Sequence, residues 1–166
     1  MNRIKNLPAT LVLVTMAALA FGCSRHVFTD QALSTIDIPE GYHEFVRAPS
    51  QHVGQSVLLG GFVTDFAVAR EGSTLKIKPY TLDSQGRPER VIEDGEEFLA
   101  RTDRVLTPED FGRGHMATLI ATYRGLATEQ NDDKIYRPMQ FEIKDIVSWP
   151  RPPHYPYGYH YPYRIF

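Results

Sequence analysis

The chain has one thiol, and its neighbours suggest that chemistry is done on it rather than by it. Cys23 is the only cysteine in 166 residues, and the small residues Gly22 and Ser24 flank it. A lone cysteine cannot form an intramolecular disulfide, so in an exported protein it is either idle or modified. A second polar group sits in the run Leu82-Asp83-Ser84-Gln85-Gly86-Arg87-Pro88, where Asp83 and Arg87 flank a turn. Asp83 has the chemistry to bond the loop backbone, and the same loop could present both residues as polar contacts on a binding rim. The third pattern is the alternation of Tyr155, Tyr157, Tyr159, Tyr161 and Tyr163. In an extended strand all five rings share one face, and Pro156 and Pro162 remove two donors from one lateral edge. Such a ribbon could stack on sugars, peptides or a partner protein. The plainer alternative is a disordered proline-rich tail.

Other chemistries lack their residues. There is no Gly-x-Ser-x-Gly elbow and no glycine-rich phosphate loop ahead of a helix. The six histidines do not approach zinc-ligand spacing with a second thiol. Asn131-Asp132-Asp133 lacks the glycine and terminal glutamate of a calcium loop, and reads as a solvated turn. No catalytic residue, cofactor or metal is therefore expected. The formal charge of −2 argues against a nucleic-acid partner, whose phosphates demand a basic face.

The elements that position these groups begin with an export signal. Arg3 and Lys5 precede an apolar run from Leu7 to Phe21, closed by Gly22-Cys23-Ser24. This is the order of a secretory signal peptide, and the run is shorter than the roughly 20 residues a membrane-spanning helix needs. Leu19-Ala20-Phe21-Gly22-Cys23 resembles a bacterial lipobox, with Leu19 one place earlier than usual. That resemblance implies lipidation of Cys23 and a mature chain starting there; an ordinary signal peptide with an incidental thiol is the alternative. By the same resemblance Ser24, where Asp would favour retention at the inner membrane, favours transfer to the outer membrane. Loss of residues 1–22 removes two basic residues and no acid, taking the formal charge from −2 to −4.

Residues 23–50 read as the lipidated N-terminus and a tether, although Ile36, Ile38, Tyr42 and Phe45 are apolar enough to pack on the domain. Residues 51–149 read as one β domain. Val57 to Val63 leads into Phe66 to Ala69 with both faces apolar, and Gly60-Gly61 marks a bulge or bend as at a barrel corner. Thr74 to Lys78 alternates, with Leu75 and Ile77 inward. Strands are also expected over Glu96 to Thr102, Ala117 to Tyr123 and Met139 to Lys144, the last continuing to Val147 and Trp149. Thr107-Pro108-Glu109-Asp110 is a helix start, with Thr107 as N-cap, and Gly112 and Gly114 limit it to about one turn. The fold class is thus all-β: a small five- to six-stranded OB-like barrel with a helical turn between the third and fourth strands. A β-sandwich is the alternative. Leu58, Phe62, Leu75, Ile77, Leu119 and Phe141 should fill the interior. Residues 150–166 form the Pro/Tyr-rich tail.

With those residues in view, the chain resembles the Slp family of outer-membrane lipoproteins. The resemblance rests on Val53-Gly54-Gln55, the Gly60-Gly61 strand, Leu82 to Pro88, Phe98-Leu99-Ala100, Leu106-Thr107-Pro108, Tyr136-Arg137-Pro138 and Trp149. Ala121, where the family has glycine, and Leu59, where it has a polar or basic residue, depart from the pattern. The resemblance implies a non-enzymatic lipoprotein of the outer membrane of a Gram-negative bacterium, lipid-anchored and facing the periplasm. Its implied role is in envelope integrity or starvation and stress adaptation. Its partners would be the membrane and an envelope protein or glycan, with no nucleic acid. The alternative function is a glycan- or peptide-binding module using the barrel face and the tail.

Overall fold

A computed structural model describes residues 26–38, 42–131 and 134–150. Cys23 and the five alternating tyrosines lie outside the described residues. The described chain is all-β, built on a six-stranded sheet that closes on itself. β1 (Ser56–Ala69) and β2 (Gly72–Leu82) form a long hairpin, followed by a short β3 (Pro88–Val91) and β4 (Phe98–Thr102). A one-turn helix, Pro108–Phe111, precedes β5 (Met116–Leu126), then come β6 (Glu129–Asn131), β7 (Lys134–Tyr136) and β8 (Met139–Trp149). Around the ring the neighbours run β1-β2-β4-β8-β5 and back to β1, with β4–β8 the parallel pair.

β1 closes the ring by serving two partners. Its first half pairs with β5 and its second with β2, and Gly61 lies opposite both Ala117 and Pro79. A Cβ on Gly61 would fall 2.0 Å from the Lys78 carbonyl oxygen, and one on Gly60 2.5 Å from Leu82 Cδ2. The glycine pair therefore permits the close backbone approach of a corner. The bulge itself falls slightly later, between Val63 and Asp65.

Burial follows the expected alternation on β2, where Leu75 and Ile77 are buried and Lys76 and Lys78 half-buried. Leu119 and Phe141 enter the core as expected, whereas Phe62 is buried outside the main core cluster. Leu58 differs: it is only half-buried, while Val57 and Leu59 enter the core. A strand apolar on both faces does not reveal its register, and a one-residue slip exchanges the faces. The helix at Pro108–Phe111 starts at Thr107 as expected, but the Thr107 hydroxyl donates to Asp110 Oδ2 at 2.7 Å rather than accepting from the backbone. β3 and the β6–β7 hairpin arise where the sequence suggests only loop and turn.

Among the described residues before β1 there are further short elements. Asp30–Leu33 and Tyr42–Arg47 are short helices, and Pro49–His52 is a 3₁₀ turn. Pro49 does not prevent that turn because it occupies its first position, where no N–H is needed. Ile38 bridges to Val57. Phe45, fully buried, stacks edge-on to Tyr123 at 4.6 Å between ring centres and touches Phe141 at 5.3 Å. Phe98 completes the aromatic cluster, 5.2 Å from Phe141.

Candidate functional site

The turn joining β2 to β3 is organised by one carboxylate. Asp83 Oδ1 accepts from the amides of Gln85 and Arg87, both at 2.8 Å. The Asp83 amide donates to the Arg87 carbonyl, and Gly86, at φ 81°, donates back to the Asp83 carbonyl. Asp followed by a left-handed glycine is the local chemistry of such a turn. The amide of Arg87 foremost holds the Asp83 carboxyl below its usual range; desolvation opposes it, and the Gln85 amide and the nearby Arg87 and His26 add to the lowering. Because the carboxylate is occupied by its own loop, Asp83 shapes the turn.

Arg87 is exposed, and its guanidinium lies over the Trp149 ring at 5.3 Å from the centroid. Trp149 Nε1 donates to Thr118 Oγ1 at 2.8 Å, and that hydroxyl donates to the Gly86 carbonyl at 2.7 Å. Thr118 is fully buried although its strand neighbours Ala117 and Leu119 belong to the core. The turn thus folds over the outer face of β5 and is tied there through one hydroxyl. The N-terminal segment meets the same place: the Val27 amide donates to the Gln85 carbonyl at 2.8 Å. A Cβ on Gly86 would lie 2.6 Å from His26 Nε2, so the histidine sits directly against the turn. The structure therefore joins Asp83 and Arg87 to Trp149, Thr118 and His26. Trp149 stood out in the sequence only as a family landmark, and nothing local marked Thr118 or His26 as its neighbours.

Further polar groupings occur among the described residues, two of which bear on function. Lys76 Nζ donates to Tyr136 Oη at 2.5 Å, which in turn donates to Glu129, and Lys76 pairs with Glu129 at 3.8 Å. Burial works against the charge on Lys76, but the Tyr136 hydrogen bond and nearby negative charge outweigh it and its pKa is raised; burial raises Tyr136 as well. The arrangement is a charged lysine and a neutral phenol, an interaction between surface strands with no group poised to react. The other is an open depression of about 280 Å³ lined by Tyr42, His43, Val46, Arg47, Asp94 and Gly95. There the Tyr42 hydroxyl donates to the Glu96 carbonyl at 3.2 Å, and burial pushes its pKa up to about 12. Among the described residues no three His, Cys, Asp or Glu side chains are grouped to hold a metal. No helix among them is long and apolar enough to cross a membrane.

Comparison with curated proteins and with solved structures returned no match. A family model, described as the outer membrane lipoprotein Slp family, matches residues 21–166. That span includes Cys23, the ring of strands and the whole tail, so the chain belongs to the Slp family of outer membrane lipoproteins.

Proposed function

We propose that the protein is a non-enzymatic lipoprotein held at the periplasmic side of the outer membrane by acyl chains on Cys23. Its role in this reading is envelope integrity or adaptation to stress. The observation that carries it is the coincidence of the family match, which begins at residue 21, with a lone cysteine that closes an export signal. Acyl burial is worth about 0.8 kcal/mol per CH₂, and stable anchoring takes more than one chain. A multiply acylated Cys23 would therefore hold the folded body at a surface by itself. The closed ring, with a helical turn between its third and fourth members, supports an OB-like barrel as the scaffold. Intact mass of the protein extracted from membranes tests the anchor. It should begin at residue 23 with added acyl mass, and Cys23→Ala should lose both the mass and the membrane. An unmodified thiol on a soluble chain would overturn it.

One observation favours a second reading. Arg87 and Trp149 place a cation and an aromatic face together at the surface, a pairing suited to a glycan or an acidic peptide. The tyrosines at 155, 157, 159, 161 and 163 follow Trp149 within a short length of chain. In this reading Arg87 makes the contact and Asp83 holds the loop that presents it. Titration with peptidoglycan fragments should then give saturable binding that Arg87→Ala weakens. The anchoring and structural reading predicts no saturation.

A further inference from the structure

The Leu82–Pro88 turn is where both ends of the folded body meet. The chain enters through His26 and Val27, packed and hydrogen-bonded to Gly86 and Gln85. It leaves through Trp149, whose indole is tied to Thr118 and thereby to the Gly86 carbonyl. From Cys23 to the pinned amide of Val27 is four residues, and an extended chain covers at most about 3.6 Å per residue. The Val27 amide is therefore held within about 14 Å of the Cys23 backbone, whatever path the intervening residues take, and the turn lies one 2.8 Å hydrogen bond beyond it.

Resting on the lipid anchor proposed above, we infer that the face carrying this turn lies against the lipid headgroup layer, with the β1–β2 hairpin at residues 70–71 pointing away. Each headgroup layer is roughly 5–7 Å thick, so a 14 Å leash leaves little room for any other face to approach. The chemistry of the face suits that neighbour. Trp149 is a half-buried indole, a side chain favoured at membrane–water boundaries, and Arg87 above it offers a planar cation to phosphate. The acid beside it, Asp83, already accepts two backbone amides. The far hairpin is well separated. Gly60 lies beneath Leu82 and Pro88, and from there to Ala69 β1 runs nine residues, a contour of about 30 Å at strand rise that the corner and the bulge between Val63 and Asp65 shorten in space.

The test uses the full-length lipidated protein in phosphatidylethanolamine/phosphatidylglycerol vesicles containing a nickel-chelating headgroup. Ser84→Cys or Glu71→Cys, each with a nitroxide label, supplies the reporter, since the acylated Cys23 takes no label. Nickel-induced relaxation should be at least several-fold stronger at position 84 than at 71. A 20-residue Gly/Ser insertion after Ser24, with an r.m.s. span of about 25 Å, should bring the two close to equality. Equal relaxation without the insertion, or stronger relaxation at 71, overturns the orientation. Flotation of the same samples separates the two failures. Protein that does not float with the vesicles refutes the anchor and the orientation with it, whereas protein that floats with equal signals refutes the orientation alone.

Discussion

Two segments outside the strand ring pack against it by opposite means. The Tyr42–Arg47 helix contributes Phe45, a fully buried ring among Tyr123, Phe141 and His52. The Leu82–Pro88 turn is instead ordered internally by Asp83 and attached by directional bonds through Thr118 and Trp149. Apolar burial scales with area and dominates stability, while a hydrogen bond contributes modestly in net terms but fixes geometry. The helix is thus a stabilising plug. The turn is a presented surface, its backbone satisfied internally and its Arg87 and Trp149 left at the boundary with solvent.

The contrast can be tested by attacking each side in turn. Phe45→Ala should cost about 3–5 kcal/mol, the range for truncating a buried aromatic, and should lower the denaturation midpoint in urea while leaving membrane attachment intact. Thr118→Val should cost about 1–3 kcal/mol. It removes the donor to the buried Gly86 carbonyl and the acceptor for Trp149 Nε1, and Trp149, the only tryptophan, should become more accessible to a fluorescence quencher. Arg87→Ala should cost no more than about 0.5–1 kcal/mol, the range for an exposed cation–π pair. Its larger effect should appear in the position-84 relaxation signal, which would mark Arg87 as a surface contact rather than a structural one.

The smallest effect concerns Asp83 and is read from pH. Its carboxyl is depressed below 3.8 in the folded state by loop amides, so its contribution is present above that value. That contribution disappears as pH falls through the lower folded value. Melting temperatures of the wild type should therefore fall more between pH 5 and about 2.5 than those of Asp83→Asn. Identical acid profiles would show that the carboxylate does not organise the turn.

Local signals carried the elements whose chemistry is local. Leu75 and Ile77 alternate with lysines, so β2 was legible, as was the one-turn helix from Thr107-Pro108-Glu109-Asp110. Asp83 and Gly86 spelled out the turn between them. β3 has no local signal because Pro88-Glu89-Arg90-Val91 lacks an apolar period and pairs only with the end of β2. Residues 23–50 read as lipidated N-terminus and tether because their start is polar, and helices as short as Asp30–Leu33 and Tyr42–Arg47 have little stability of their own. Phe45, fully buried against Tyr123, Phe141 and His52, ties the Tyr42–Arg47 helix to the ring.

By itself the sequence determined the all-β class and the turn at Asp83 and Gly86. Each of these depends on neighbouring residues or on a period-two pattern. Only the tertiary structure decided that Val57 and Leu59 rather than Leu58 enter the core, because the pairing of β1 with β5 and β2 selects one of two equally apolar faces. It alone brought Trp149 to Arg87 and Val27 to Gln85. Those pairs lie dozens of residues apart, and closure of the ring, rather than any local preference, places them side by side.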